Sequence, residues 1–144
     1  DIILKSVASV KLLLDEKNGS IDLKLSDNII EFEFAFDEMI NVFINILDNS
    51  IKYCNKEPKI HIETFMDLHL IKVKISDNGI GMSTKVKNKI FENFYRETKG
   101  NIHNVKGHGL GLSYVKKIVD LHGGTISATS DLNKGTSFIL SFNV

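Results

Sequence analysis

Apolar positions recur with two periods along this chain, and each period predicts a different element. Residues 2–17 carry four apolar side chains at helical spacing, and the Asn18-Gly19 pair that follows is typical of a helix end. Residues 21–25 and 30–34 alternate apolar with polar side chains, so two strands joined by a turn at Asp27-Asn28 are expected. The chain is therefore predicted to open with a helix and a strand pair.

The remaining elements follow the same two periods. They are predicted as helices over residues 37–53, 84–89 and 110–121, and as strands over residues 60–66, 70–76, 125–129 and 137–144. Residues 98–106 follow neither period and contain Gly100, which predicts a flexible loop. Because neighbouring strands are joined by short turns, antiparallel pairing is expected. The predicted fold class is α+β, a layered sandwich with helices on one face of a sheet.

The helix over residues 37–53 is apolar around most of its circumference, which indicates burial. One stripe about 100° wide is polar instead. It consists of Asn41, Asn45, Asp48, Asn49 and Lys52. A stripe that simply faces water is the alternative, but such stripes are rich in Glu, Lys, Gln and Ala, whereas Asn and Asp are poor helix formers. Their oxygens suit Mg²⁺ and Lys52 can balance phosphate, so the stripe is interpreted as one wall of a site.

Nine of the ten glycines lie after residue 78, and five of them form two short motifs. Gly79 and Gly81 follow a predicted strand in DNGIGM, while Gly107, Gly109 and Gly111 open a predicted helix in GHGLGLS. Glycine lets a ligand approach the backbone, and free N–H groups at a helix start attract anions. Ordinary turns are the alternative for each motif alone, and neither motif matches the P-loop or the dinucleotide-binding pattern.

Basic residues are concentrated in one segment of a chain whose overall charge is balanced. Residues 98–119 carry four lysines and no acidic side chain, which favours a polyphosphate partner over a merely solvated loop. The whole chain has eighteen basic and eighteen acidic residues, and this balance argues against bulk electrostatic binding to nucleic acid or to a membrane surface.

Composition places the chain among ordinary globular proteins. Its 144 residues suit one domain, and 42% apolar with 25% charged residues can form a core. Cys54 is the single cysteine, so no internal disulfide or cysteine-based zinc site is expected, and a cytoplasmic setting is favoured. No apolar run exceeds three residues, so no membrane span is expected within the chain. A parent protein anchored in the inner membrane stays open.

Five motifs in order resemble the catalytic domain of sensor histidine kinases, within the superfamily that also holds gyrase, Hsp90 and MutL. They are NILDNSIKY at residues 45–53, similar to the N box; DNGIGM at 77–82, similar to the G1 box; FENFYR at 91–96, similar to the F box; GHGLGLS at 107–113, similar to the G2 box; and GTSF at 135–138, similar to the terminal glycine box. The motif-bearing region covers roughly residues 37–142. Each motif alone is modest, but their order and spacing make the resemblance specific.

The resemblance implies a Bergerat-type ATP-binding fold, in which a mixed sheet of about five strands backs about three helices. Asp77 is implied to accept a hydrogen bond from the adenine amino group, and Asn45 and Asn49 to hold Mg²⁺ against the phosphates. Asn45, Lys52 and Arg96 are the implied catalytic residues, and residues 97–106 the flexible ATP lid. The implied nucleotide contacts are Asn45, Asn49, Lys52, Tyr53, Asp77, Gly79, Gly81, Met82, Tyr95, Arg96, Gly107, Gly109, Leu110, Gly111, Leu112 and Thr136. Among them, Gly79 and Gly81 are implied to let the base and ribose pack closely.

Relatives that hydrolyse ATP begin the N box with a glutamate, whereas Asn45 cannot act as a base at neutral pH. Transfer to a presented nucleophile is therefore expected, with little hydrolysis. None of the five histidines lies in a phosphoacceptor motif; His61 and His69 are interpreted as sheet residues and His122 as a helix-terminal one. The chain is expected to bind ATP, to be monomeric alone and not to phosphorylate itself.

The resemblance implies two protein partners, a histidine-bearing dimerisation domain of the parent kinase and, through the parent, a response regulator. A serine-phosphorylating relative, such as an anti-sigma-factor kinase, is a second enzyme hypothesis, although such kinases usually keep an acidic residue at the position of Asn45. A degenerate interaction domain without nucleotide binding is a third. The presence of Asp77, Asn45 and both glycine motifs argues against that third hypothesis.

Overall fold

The computed structural model describes residues 1–27, 35–92 and 111–144. Its elements, in chain order, are α1 (Ile2–Glu16), β1 (Ser20–Lys24), α2 (Phe36–Lys52), β2 (Lys59–Asp67), β3 (Leu70–Asp77), α3 (Thr84–Lys87), α4 (Gly111–Leu121), β4 (Thr125–Asp131) and β5 (Gly135–Asn143). The α+β prediction is confirmed, and each predicted element within these ranges is present with ends displaced by a few residues.

The five strands form one mixed sheet in the order β1-β2-β3-β5-β4. The pairs β2/β3 and β4/β5, each joined by a turn, are antiparallel, as predicted, and β3/β5 is antiparallel too. Strand β1 runs parallel to β2, which makes the sheet mixed, as the resemblance implied. The physical reason is that the chain returns from β1 to the same edge through α2, and such a helical crossover brings strands together in parallel. The antiparallel expectation for β1 concerned the strand over residues 30–34 and stays a prediction. The predicted strand over residues 30–34 lies outside the described residues.

One face of the sheet packs against helices, and the period-2 alternation of the strands decides which side chains it buries. The buried apolar side chains of the central strands are Ile60, Ile62, Ile71, Val73, Ile75, Phe138, Leu140 and Phe142. Helix α2 lies between α1 and α4 and buries Met39, Val42, Phe43, Ile46, Leu47 and Ile51. Each such side chain contributes about 1.5–3 kcal/mol on burial, so α2 is fixed firmly against the sheet.

Local sequence accounts for the ends of the helices. In α2, Asp37 and Glu38 occupy the first turn and Lys52 the last, which complements the helix dipole. Helix α3 begins because the Ser83 side chain accepts a hydrogen bond from the N–H of Val86. It ends at Lys87, two residues earlier than predicted.

The three histidines that the structure describes lie in a strand, in a turn and at a helix end. His61 lies in β2 and His122 directly follows α4, as predicted. His69 was predicted to be a sheet residue, but it lies in the turn between β2 and β3. The reason is that Leu68 before it adopts a left-handed backbone with φ of 56°, which reverses the chain.

Candidate functional site

Strand β3 ends at Asp77, whose carboxylate is held by two backbone amides. Its Oδ1 atom accepts hydrogen bonds from the N–H groups of Gly79 at 2.9 Å and of Thr136 at 3.1 Å. No described residue donates a hydrogen bond to its Oδ2 atom. Asp77 therefore joins β3 to β5 and keeps one oxygen for another donor, beside an open depression that Ser130 and Thr136 also line.

The loop over residues 77–82 is fixed from both sides. On one side, the N–H of Ile80 donates to the carbonyl of Tyr53, at the end of α2, at 2.9 Å. On the other, the carbonyl of Ile80 accepts from Asn133 at 2.7 Å, and the N–H of Met82 donates to the Ser130 hydroxyl at 2.8 Å. The loop thus connects the end of α2 to the β4–β5 hairpin.

The packing of this loop within the protein is enough to require glycine at positions 79 and 81. A Cβ atom on Gly79 would lie 2.7 Å from the Tyr53 carbonyl oxygen, and one on Gly81 would lie 1.9 Å from the Asp131 carbonyl oxygen. Gly81 also has a φ of 68°, which side chains rarely tolerate. Contacts within the protein are therefore sufficient to explain both glycines, and their role toward base and ribose stays a prediction.

Asn78 holds the same loop to the start of β2. Its Oδ1 accepts from the N–H of Lys59 at 2.8 Å, and its Nδ2 donates to the carbonyl of Glu57 at 3.1 Å. The buried thiol of Cys54 lies 3.5 Å from the same Oδ1. These bonds position the residue next to Asp77 and give Cys54 a packing role rather than an exposed, reactive one.

The polar stripe of α2 is half-buried rather than fully solvated. Asn45, Asp48, Asn49 and Lys52 are each partly covered, whereas Asn41 is exposed. Lys52 Nζ lies 2.7 Å from Asp48 Oδ2, one turn earlier on the helix. This ion pair holds the ammonium group along the stripe, where it can meet an anion.

Asn45 lies where the polar stripe of α2 meets the start of α4. Its Nδ2 donates to the carbonyl of Asn41 at 2.8 Å, which leaves Oδ1 as the acceptor. That oxygen lies 3.3 Å from the position a Cβ would take on Gly111, the first residue of α4. The start of α4 therefore abuts the polar stripe, and Leu112 next to it packs against the core.

Sequence reasoning missed Lys17, which supports the end of α2. Its ammonium group donates to the carbonyl oxygens of Ile51 at 2.8 Å, Lys52 at 3.4 Å and Cys54 at 3.2 Å. Carbonyls at a helix end lack partners within the helix, and a cation there also complements the dipole. A lone lysine before Asn-Gly carries no recognisable signal, so only the three-dimensional structure reveals this contact.

The predicted site residues fall into two groups. The described ones lie at the end of α2, in the 77–82 loop, at the start of α4 and on β5, and the contacts above join these segments. Tyr53 contributes its carbonyl, while its side chain is 40% exposed. The remaining predicted residues, Tyr95, Arg96, Gly107, Gly109 and Leu110, lie outside the described residues, as does the predicted lid.

Within residues 1–27, 35–92 and 111–144, no three His, Cys, Asp or Glu side chains form a metal-binding group. The same ranges contain no helix that is long and apolar enough to span a membrane.

Together, the mixed sheet, its helical layer and the segments joined around Asp77 define a two-layer domain of the ATPase class. Residues 35–144 match the sequence model described as Histidine kinase-, DNA gyrase B-, and HSP90-like ATPase, and the chain belongs to this family. The resemblance drawn from the five motifs is thereby confirmed, and the family implies use of ATP.

Named relatives refine the placement within the family. The chain is 40% identical over 147 residues to the sensor protein RprX of Bacteroides fragilis, covering 98% of this chain and 28% of RprX. It is 34% identical over 142 residues to the signal transduction histidine-protein kinase ArlS of Staphylococcus aureus, covering 99% of this chain and 31% of ArlS. The chain thus spans less than a third of either relative's length.

A solved structure gives the same result for the fold. The catalytic domain of histidine kinase ThkA, in a nucleotide-free form, superposes with a TM-score of 0.83 at 26% identity, covering 99% of this chain and 90% of that domain. The chain therefore has the fold of a histidine kinase catalytic domain, and the names of its relatives favour this class over the serine-kinase alternative.

Proposed function

We propose that residues 1–144 act as one catalytic unit that binds Mg-ATP and presents the γ-phosphoryl group to a histidine on a separate dimerisation domain. The single observation that carries the proposal is the Asp77 carboxylate. Two backbone N–H groups fix one of its oxygens, and the other remains an acceptor. A rigid acceptor at the end of the site suits the amino group of adenine, because it needs no rearrangement to bind.

The opposite end of the site receives the phosphates. Asn45 Oδ1 and the side chain of Asn49 would hold Mg²⁺, which neutralises charge on the phosphates when bound. Lys52, held by Asp48, adds a positive charge beside them. The start of α4 at Gly111 supplies backbone N–H groups next to Asn45.

The proposed step is transfer rather than hydrolysis. Asn45 stands where hydrolysing relatives carry a glutamate, and a carboxamide cannot take a proton from water at neutral pH. Positioning and charge neutralisation remain, and these are what phosphoryl transfer chiefly requires. Arg96, Tyr95 and the glycines at 107 and 109 keep their expected phosphate contacts within this proposal.

The partners follow from the longer relatives. We propose that the parent protein supplies the histidine-bearing domain, passes the phosphoryl group to a response regulator and keeps this domain in the cytoplasm. Alone, the chain is proposed to be monomeric and unable to phosphorylate itself.

A calorimetric titration tests the site directly. The chain is titrated with ATP in the presence and absence of Mg²⁺, beside Asn45→Ala and the matched control Asn41→Ala. Asn41 has the same side chain one turn earlier but is exposed, so its loss should leave binding unchanged. Asn45→Ala should weaken ATP binding about tenfold or more and remove its dependence on Mg²⁺. A folded chain that binds no ATP would overturn the proposal and revive the interaction-domain hypothesis.

Phosphoryl transfer is tested in the full-length parent protein. Incubation with radiolabelled ATP should yield a phosphate that is labile in acid and stable in base, as expected for phosphohistidine. Acid-stable phosphoserine on a partner protein would instead support the serine-kinase hypothesis.

A further inference from the structure

The side chain of Ser130 in β4 contacts three groups at the Asp77 end of the site. Its Oγ atom accepts from the N–H of Met82 at 2.8 Å and lies 2.9 Å from the carbonyl oxygen of Gly135. It also lies 2.9 Å from the hydroxyl oxygen of Thr136. Ser130 therefore joins the end of the 77–82 loop to both strands of the β4–β5 hairpin.

These contacts fix the direction of two hydroxyl protons. A serine hydroxyl has one proton and two lone pairs. The N–H of Met82 can only donate, so it uses one lone pair, and the carbonyl of Gly135 can only accept, so it takes the serine proton. The remaining contact is then a bond in which the Thr136 hydroxyl donates to the second lone pair of Ser130.

Thr136 consequently faces a ligand as an acceptor. Its hydroxyl proton is engaged by Ser130, and its backbone N–H is engaged by Asp77. The ionised Asp77 carboxylate can also only accept. Two neighbouring groups that line the depression therefore offer lone pairs to a ligand and no proton.

We infer that Ser130 is a positioning residue for base selectivity, because it holds the Thr136 proton away from the ligand. With that proton engaged, Asp77 and Thr136 accept an exocyclic amino group and offer no proton to a ring carbonyl. The inference rests on the proposed ATP site and adds a residue that determines which purine the site prefers. A carbonyl placed against Asp77 and Thr136 would meet lone pairs at both groups and lose its own hydrogen bond to water.

The test compares ATP with inosine triphosphate, which carries a carbonyl in place of the 6-amino group. Both nucleotides are titrated by calorimetry against the unmodified chain and Ser130→Ala. Removal of the serine oxygen frees the Thr136 proton to turn toward the carbonyl, so the ratio of the inosine Kd to the ATP Kd should fall by roughly three- to tenfold. General loosening of the hairpin would weaken both nucleotides alike, and an unchanged ratio overturns the inference.

Further variants separate the proposed role of Ser130 from a general effect on the hairpin. Ser130→Thr retains a hydroxyl and should restore the ratio. In a chain that already carries Thr136→Val, adding Ser130→Ala should not lower the ratio of the inosine triphosphate Kd to the ATP Kd any further, because no threonine proton remains to be freed. A lower Kd ratio in the double variant than in Thr136→Val alone would contradict the inference. If Ser130→Ala does not fold, Ser130→Cys replaces it with the same expectation, since a thiol is only a weak acceptor.

The two proposals fail in different ways. Failure of the unmodified chain to bind ATP overturns both of them. Normal ATP binding with the same nucleotide ratio in Ser130→Ala overturns the role of Ser130 alone.

Discussion

A Cβ atom on Gly81 would lie 1.9 Å from the carbonyl oxygen of Asp131. Such a distance cannot be relieved by turning a side chain, because the backbone fixes the position of a Cβ atom and the Asp131 oxygen belongs to the main chain. The 77–82 loop and the β4–β5 hairpin are therefore in direct main-chain contact, and the site depends on that contact.

Gly81→Ala is expected to destabilise the chain strongly. The left-handed backbone costs about 1–2 kcal/mol for any side chain, and the forced displacement adds about 1–3 kcal/mol. The matched control is Gly123→Ala, which has nearly the same φ, 67° against 68°, but nothing within 4 Å of its Cβ position. Urea denaturation of both variants separates backbone strain from steric overlap. Equal losses would show that the contact with Asp131 can be relieved without cost.

Asp77 serves the fold with one oxygen and the proposed ligand with the other. Asp77→Asn can keep its carbonyl oxygen at the Oδ1 position, so the unfolding free energy should change by less than about 1 kcal/mol. The NH₂ group then replaces an acceptor with a donor, and ATP affinity should fall about 10- to 100-fold. Asp77→Ala should lose the hydrogen bonds from the backbone as well as the acceptor for ATP. The first loss should destabilise the fold by about 1–3 kcal/mol. Calorimetry and denaturation measure the two effects, and retained affinity in Asp77→Asn would contradict the assignment.

Lys17 is expected to stabilise the end of α2. Lys17→Met keeps the apolar stem but removes the hydrogen bonds to three carbonyls, and should cost about 1.5–3 kcal/mol. Lys11→Met is the control on the same helix, because the Lys11–Asp15 pair is exposed and contributes about 0.5 kcal/mol or less. Urea midpoints compare the two variants. A Lys17 variant as stable as the Lys11 variant would show that water caps α2 equally well.

The ion pair between Lys24 of β1 and Glu63 of β2 should make the free energy of unfolding depend weakly on pH. The hydrogen bond from Lys24 Nζ to Glu63 Oε1, 2.7 Å long, lowers the pKa of the Glu63 carboxyl, and the same bond raises the pKa of Lys24. The Glu63 contribution is therefore present above its unfolded pKa of about 4.3 and is lost as pH falls through the lower folded value. The Lys24 contribution is present below the unfolded pKa of that group and is lost as pH rises through the raised folded value.

Denaturation of the unmodified chain and Glu63→Gln at about pH 7 and about pH 3 measures the acid side of this effect. The difference in unfolding free energy between the two chains should be small at neutral pH, shrink in acid and weaken in salt, because Lys24 is exposed and Glu63 is only partly covered. Lys24→Met should remove it. A difference that grows as pH falls would contradict the pairing.

The sequence predicted the fold well wherever one periodic pattern decided the structure. Helix α2 was predicted over residues 37–53 and is observed over Phe36–Lys52, because its apolar face and polar stripe are unambiguous. The partner of β1 could not be predicted in the same way. Alternation identifies a strand, but it does not say whether the chain returns by a turn or by a helical crossover.

The candidate site divides in a similar manner. Asp77, Asn45 and the glycine motifs were predicted because each belongs to a recognisable local pattern. Lys17 and Ser130 were not, since their roles arise from contacts with residues 34 and 48 positions away in sequence. A hydroxyl or an ammonium group in isolation gives no sign of which backbone groups it will meet.

Helix α1, strand β1 and Lys17 all precede residue 35, where the family match begins. Truncation at that boundary would expose the apolar side of α2 that α1 covers, remove the cap from its last turn and turn β2 into an open sheet edge. Such an edge, with its unpaired N–H and C=O groups, invites aggregation. The stretch of sequence by which this family is recognised is therefore shorter than the stretch whose contacts cover α2 and β2 in this structure.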